Sequence, residues 1–160
     1  DNMARLFRMA DFPVVCANYD VSATVLKDLV KPYVVFERDG VKIGVLGLGC
    51  QLEGMVQANK CVGVVYNDPV TVANEVAAVL KEKEGCDVVV CLSHLGVQYD
   101  ENQLIPKTRN IDVVLGGHSH TFMKGPKTLL NMDGKNVSLM HTGKSGIYVG
   151  QMDLTLEKKK

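Results

Sequence analysis

The sequence lacks a net charge of either sign, because 18 lysines and arginines balance 18 aspartates and glutamates over 160 residues. A neutral chain has no overall field to attract nucleic acid, an anionic membrane surface or an acidic partner, so a charged ligand must be held by local groups. No apolar run approaches the roughly 18 residues of a membrane span. The opening DNMARLFRMADF also lacks the basic-then-apolar order of a secretory signal. We therefore expect no membrane span, and these residues carry no visible targeting signal.

Paired cysteines are also missing. The five cysteines are scattered, odd in number and never spaced as CxxC, which excludes a zinc finger and predicts buried or half-buried free thiols. The composition, 46% hydrophobic and 22% charged, is that of a folded globular protein. At this length we expect a single domain over residues 1–160.

The first half of the chain predicts a helix, a strand and a hairpin. Apolar residues at helical spacing indicate a helix over residues 2–10, and FPVVCA (12–17) is typical of a short buried strand. β-branched runs at 33–37 and 41–48 flank an Asp-Gly turn, which favours a hairpin. Gly44 and Gly47 in the second run, with Gly49 directly after it, indicate a close approach of another backbone.

The second half predicts an alternating α/β pattern followed by antiparallel strands. Asp68-Pro69 is a helix start, and Gly85 ends that helix. Apolar runs at 86–92 and 111–115 are typical of parallel strands covered on both sides, with a loop over 93–100 and a short helix over 101–109 between them. A second hairpin is expected at 127–131 and 136–141, and a half-exposed strand over 147–156.

Histidines follow both predicted parallel strands. The first strand is followed by SHLG, with His94, and the second by GGHSH, with His118 and His120. Parallel strands place their carboxyl ends at one edge of the sheet, where ligands bind in open α/β folds, so the three imidazoles should face a common crevice. Two glycines, 116 and 117, let the chain turn and leave room beside the rings.

Three converging imidazoles predict a transition-metal site. Two histidines at i, i+2 on an extended turn point in different directions and could serve two ions about 3.5–4 Å apart. Three histidines alone leave such a centre incomplete, because it needs a bridging carboxylate. The nearest acids, Asp100, Glu101 and Asp112, have no obvious route to it.

Blander interpretations compete with a metal site. A single histidine at a strand end is usually a surface or hydrogen-bonding residue, and this is the role expected of His141. A doubly wound nucleotide-binding domain would need a GxGxxG turn that opens a helix, whereas GVLGLGC leads into no clear helix.

The combination of SHLG and IDVVLGGHSHT resembles the calcineurin-like metallophosphoesterase family, specifically its 5'-nucleotidase branch. FPVVCANYD, GVKIGVLGL and HTGKSGIYVGQMDL resemble further segments of that branch, so the likeness extends from about Phe12 to Leu154. It implies an α/β fold, with the chain forming part of a four-layer α/β/β/α sandwich with mixed sheets. It also implies hydrolysis of phosphoesters, 5'-nucleotides being the leading substrate, by a hydroxide that two divalent ions activate (Zn, Mn, Fe or similar).

In the family, the histidines matching His94 and His118 bind one ion, and the position matching His120 binds the other. The N-terminal motifs Asp-x-His, Gly-Asp and Gly-Asn-His-Glu/Asp, which supply the remaining ligands and the catalytic histidine, do not occur in this sequence. We therefore expect the C-terminal portion of a metallophosphoesterase catalytic domain, with no catalytic residue of its own and at most weak binding of a single ion.

Several expectations follow from that departure. The chain alone should be catalytically inactive, and exposed strand edges should favour its self-association. A non-catalytic metal-binding or partner-binding module of the same fold is the alternative function. The resemblance also implies a periplasmic or cell-surface location for the parent protein.

Overall fold

The computed structural model describes residues 2–156, so Asp1 and residues 157–160 of the predicted domain lie outside it. The α-helices are α1 (Asn2–Met9), α2 (Pro69–Ala78) and α3 (Val97–Tyr99). The strands are β1 (Val14–Val15), β2 (Tyr19–Asp20), β3 (Val30–Lys31), β4 (Tyr33–Arg38), β5 (Val41–Leu48), β6 (Val65–Tyr66), β7 (Val88–Ser93), β8 (Val113–Gly116), β9 (Lys127–Leu130) and β10 (Asn136–His141). Shorter 3-10 and π-helical turns are Ala58–Lys60, Val79–Lys83, Asp100–Leu104 and Ile105–Lys107.

A six-stranded mixed sheet forms the centre of the fold, in the order β4-β5-β7-β8-β10-β9. Its four middle strands run parallel, and an antiparallel strand closes each side. The predicted α/β class and the mixed sheet are thus confirmed. The four-layer arrangement stays a prediction. Two short pairs, β1 with β3 and β2 with β6, lie outside this sheet.

The core lies between one face of the sheet and helical residues of 69–83 and 97–107. Alternate residues of the strands, such as Leu46, Cys91 and Val114, are fully buried there with Ala77 of α2 and Leu80 of the turn that follows it. The apolar runs of β7 and β8 predicted the burial of this face.

The opposite face of the sheet is less covered than those runs predicted. Leu92 and Leu115 each remain 40% exposed. A cavity of about 360 Å³ on this face is lined by Val113, Leu115 and the chain's own residues Met152 and Leu154. Burial on both faces is therefore not achieved by residues 2–156.

Local chemistry explains the elements that the sequence predicted best. Asp68 accepts a hydrogen bond from the Thr71 amide at 2.8 Å and so caps α2, with Pro69 in its first turn. Asp39 and Gly40 both have positive φ, 52° and 77°, which is the backbone of a two-residue hairpin turn between β4 and β5. The five cysteines are free thiols, two buried and three half-buried, as predicted.

Three predicted elements differ from the structure. The strand expected at 12–17 shrinks to β1, and the helical segment expected from residue 101 starts at Val97, because Gly96 turns the chain with φ 93°. Residues 147–156 form no strand. Their alternation meets no free edge on β10, since β8 and β9 already occupy both sides of that strand. The pairing of β10 with β8 is also parallel, whereas antiparallel pairing was expected to dominate this region.

The glycines in and after β5 make room for different neighbours. A Cβ at Gly47 would lie 2.2 Å from the Val15 carbonyl oxygen, so the predicted close approach of another backbone is confirmed there. At Gly44 and Gly49 it is wrong, because side chains take the space: a Cβ would lie 2.8 Å from Leu80 Cδ2 at the first and 2.3 Å from the Tyr19 ring at the second. No helix follows these glycines directly: irregular chain leads on from Leu48. This rules out the dinucleotide-binding turn as the reason for them. Among residues 2–156, no helix has the length and apolarity to cross a membrane.

Candidate functional site

The carboxyl ends of β7 and β8 lie side by side and carry the three predicted histidines. Ser93 pairs with Gly116 in the parallel register, so His94 leaves one strand next to the point where the GGHSH turn leaves the other. The Gly117 amide donates to the Ser93 carbonyl oxygen at 2.8 Å, which extends the pairing by one step. The His94 amide donates to the Leu48 carbonyl oxygen, also at 2.8 Å, and ties this end to β5.

His94 and His118 bring their imidazoles together. Their ring centroids are 5.2 Å apart and the rings meet edge to face at 72°. Partial burial of the ring lowers the pKa of His94, and the positive charges that His118 and His120 could carry lower it further. The site therefore favours the neutral imidazole, which is the form that binds a metal ion.

The turn that carries His118 and His120 is strained. Both residues have positive φ, 71° and 54°, where the i, i+2 spacing had predicted an extended turn. Such a backbone costs about 1–3 kcal/mol at a non-glycine residue and is concentrated at functional sites. Neighbouring contacts hold the turn: the Val97 amide donates to Ser119 Oγ at 3.1 Å, and the Gly143 amide donates to the Thr121 carbonyl oxygen at 2.8 Å.

The two glycines before His118 make room for two different imidazoles. A Cβ on Gly117 would lie 3.1 Å from Nδ1 of His94, as the sequence predicted. A Cβ on Gly116 would lie only 1.9 Å from Nε2 of His141, which was not among the predicted ligands. The first glycine of GGHSH therefore serves a buried histidine of β10.

A groove of about 390 Å³ opens beside these strand ends. Its lining includes Cys16, Leu48, Leu92, His94 and Gly117, so one wall is apolar and the imidazole of His94 provides a polar edge.

These residues fit part of a metal centre. Imidazole nitrogens suit zinc, iron and similar ions, and two imidazoles, those of His94 and His118, lie side by side here. Within residues 2–156, however, no group of three or more His, Cys, Asp or Glu side chains lies close enough to hold an ion. His120 influences the His94 pKa at a distance but does not complete such a group.

The three acids near the histidines in sequence do not complete it. Asp112 accepts hydrogen bonds from the Val89 amide and from Lys81 Nζ near the start of β7, and Glu101 pairs with Lys127 at 3.0 Å. These two acids lie away from the crevice, as expected.

Asp100 behaves differently from that expectation. It is fully buried and accepts a hydrogen bond from Ser93 Oγ at 2.5 Å. Its other carboxylate oxygen, Oδ2, lies 2.9 Å from His141 Nε2. Asp100 thus reaches the strand ends, but both of its oxygens are engaged by protein groups. His141 is 1% exposed, so its expected hydrogen-bonding role is confirmed and a surface position is wrong.

Comparisons with known proteins agree with this geometry. No protein-family model matches the chain. It is 27% identical to the trifunctional nucleotide phosphoesterase protein YfkN of Bacillus subtilis. That alignment is 170 positions long and covers 96% of this chain and 11% of that protein. A 5'-nucleotidase precursor structure from Thermus thermophilus superimposes with a TM-score of 0.80 and 30% identity, covering 87% of this chain and 29% of that one. The calcineurin-like phosphoesterase YfkN structure from Bacillus subtilis gives a TM-score of 0.60 and 29% identity, covering 72% and 40%.

The proteins homologous to this chain are calcineurin-like phosphoesterases. Among them are 5'-nucleotidases, which is the likeness that the motifs of the sequence predicted. The chain spans between 11% and 29% of the length of the first curated relatives that it matches. The activity of a whole protein containing these residues is therefore a matter for proposal.

Proposed function

We propose that this chain forms part of the active site of a metal-dependent phosphohydrolase that removes phosphate from nucleotides, as a 5'-nucleotidase does. The single observation that carries the proposal is the pair of imidazoles, His94 and His118, held 5.2 Å apart at the carboxyl ends of two parallel strands. Relatives named as nucleotide phosphoesterase and 5'-nucleotidase support the substrate class.

His94 and His118 would hold one divalent ion, and His120 would contribute to a second. Bound ions of this kind supply Lewis-acid stabilisation of the charge that grows on phosphoryl oxygens and lower the pKa of water. The chain's own contribution is to keep the His94 imidazole neutral and to fix the direction of the histidines. The lowered pKa of His94 favours its neutral form. The backbone hydrogen bonds of His94 and Ser93 to neighbouring chain segments fix the position of the ring.

The remaining ligands would come from outside residues 2–156. Two dications close together need an anionic bridge, and the buried carboxylate of Asp100 is already shared by Ser93 and His141. We therefore propose that the isolated chain binds at most one ion weakly and shows no turnover. The alternative, a metal-binding or partner-binding module without catalysis, would keep the histidine pair and lack turnover in the complete protein as well.

Phosphate release from nucleoside 5'-monophosphates distinguishes these functions. We expect zinc- or manganese-dependent turnover by the complete protein that contains this sequence, loss of activity on chelation, and none from the isolated chain. His94→Ala and His118→Ala should each lower kcat/KM by at least the roughly 10- to 100-fold that even outer-shell changes cause. Lys124→Ala, at an exposed position, is the control and should leave activity unchanged. Full activity in either histidine variant would refute the proposal.

The proposal extends to the cellular location of the parent protein. Likeness to the 5'-nucleotidase branch supports a periplasmic or cell-surface location, which fractionation of cells would test.

The proposal also includes self-association of the isolated chain. Phe12 is 70% exposed beside β1, and Leu130 is 59% exposed on the edge strand β9, so apolar contacts between copies are available. Light scattering that shows a monomer at all concentrations would contradict self-association of the isolated chain.

A further inference from the structure

We propose that Ser93, Asp100 and His141 form a buried positioning network that fixes the direction of His94. Ser93 Oγ donates to Asp100 Oδ1 at 2.5 Å, and His141 Nε2 donates to Asp100 Oδ2 at 2.9 Å. The inference rests on the proposed function, because His94 is taken there as a metal ligand. None of the three network residues is itself assigned to the ion.

The network acts on His94 through the two residues beside it. Ser93 Oγ also accepts a hydrogen bond from the Leu95 amide at 3.2 Å, so the chain is tied immediately before and after His94. The Ser93 carbonyl oxygen accepts a hydrogen bond from the Gly117 amide at 2.8 Å, and this bond ties the turn that carries His118 to the same residue. One serine therefore sets the relative position of both histidine-bearing loops.

The burial of these three polar side chains indicates that they do more than fill space in the core. Asp100 is 0%, His141 1% and Ser93 5% exposed. Placing a carboxylate in such surroundings is costly unless its oxygens are hydrogen-bonded, and apolar residues of similar size would fill the space at less cost. A polar network retained at this depth has its stabilising value in orientation, since it specifies one arrangement of the strand ends.

The pairing of β10 with β8 places His141 against Asp100. His141 pairs with Gly116 in the parallel register of β10 and β8, and the absence of a side chain at Gly116 leaves the space that its ring occupies. Nδ1 of His141 is buried with no hydrogen-bond partner among the described residues. A single proton on Nε2, directed at Asp100, is the tautomer that leaves no buried donor unsatisfied.

Outer-shell groups of this kind alter metal affinity by about 10- to 100-fold, because they hold a ligand in the direction that coordination requires. Loss of the network should therefore weaken zinc binding without removing a ligand. It should also loosen the Leu95 amide whether or not zinc is present.

Paired substitutions separate positioning from stability. The double variant Asp100→Leu/His141→Leu leaves no carboxylate unpaired, so it should stay folded with a thermal midpoint close to that of the unchanged chain. Calorimetric zinc titration should nevertheless give at least tenfold weaker binding. Hydrogen exchange at Leu95 should speed up at least tenfold, while exchange at the Thr71 amide of the α2 cap stays unchanged. The single variant His141→Gln, which keeps an N–H near the place of Nε2, should retain the zinc affinity and the Leu95 exchange rate of the unchanged chain.

Ser93→Ala covers the case in which the double variant does not fold. It removes the hydroxyl link alone and should reproduce the faster exchange at Leu95 and the weaker zinc binding. Unchanged zinc affinity and unchanged exchange at Leu95 in a folded double variant, or in Ser93→Ala, would overturn the inference. If zinc binds neither the unchanged chain nor its variants, which the proposed at-most-weak binding by the isolated chain allows, exchange at Leu95 alone decides whether the network positions His94.

Discussion

Replacing Gly116 by alanine tests how tightly the strand ends are packed. The new Cβ would lie 1.9 Å from Nε2 of His141 and 2.3 Å from its Cε1, where contacts between carbon atoms normally need about 3.5–4.0 Å. The ring would have to move by roughly 1.5 Å. It cannot do so and keep the 2.9 Å hydrogen bond to Asp100.

The cost combines overpacking with the loss of a buried pair. Overpacking costs about 1–3 kcal/mol, and breaking a buried pair costs about 3–5 kcal/mol. Because relief of one strain partly relieves the other, we expect Gly116→Ala to lower the free energy of unfolding by about 3–5 kcal/mol. For a chain of this size, each kcal/mol lowers the thermal midpoint by about 2–4 °C, so the drop should be roughly 6–20 °C.

Urea and thermal unfolding followed by circular dichroism would measure the change. Gly125→Ala is the matched control, because nothing lies within 4 Å of a Cβ there and its φ is not positive. It should leave stability unchanged or slightly raised. A second test places Gly116→Ala in a His141→Ala background, where the space is free and the added methyl group should cost almost nothing. The close packing of Gly116 against His141 would be refuted by full additivity with His141→Ala, or by a midpoint for Gly116→Ala within about 2 °C of the unchanged chain, which corresponds to only about 0.5–1 kcal/mol.

Two further predictions concern a titration and a helix cap. The pKa of His94, followed by NMR, should lie below the ordinary value of about 6.5, and His118→Ala or His120→Ala should each raise it while the effect of burial persists. Because the unfolded state then binds the proton more readily, His94 should make the chain less stable as pH falls from about 6.5 through the folded pKa; a His94 pKa at or above 6.5 would contradict both statements. Asp68→Ala should cost about 1 kcal/mol in urea unfolding, since the Thr71 amide and hydroxyl lose their acceptor, whereas Asp68→Asn should cost less. Equal stability of Asp68→Ala and the unchanged chain would show that the cap contributes nothing.

Local signals in the sequence predicted the parts of the fold that depend on neighbouring residues. The Asp39-Gly40 turn, the Asp68 cap and the apolar runs of β7 and β8 each carry their own physical cause, and each appears where expected. The placing of histidines at two adjacent strand ends followed from the rule that parallel strands end at one edge of a sheet.

Contacts between distant residues were out of reach of the same reasoning. Asp100 and His141 are 41 positions apart, and only the parallel pairing of β10 with β8 brings them together. The one available signal was a histidine at the end of a third apolar strand, aligned with those that follow β7 and β8. Alternation alone also misled over residues 147–156, because β8 and β9 already occupy both sides of β10 and the pattern does not show which edges are taken.

The most direct test of the central claim is a zinc titration of the chain followed through the ring nitrogen signals of its four histidines by NMR. His94 and His118 should shift together as zinc in excess fills a single weak site, with a smaller response at His120. His141, buried against Asp100, serves as the internal reference and should not move. If His94 and His118 remain unchanged at saturating zinc, or if His141 responds as strongly as they do, the strand ends are not the metal site that we propose.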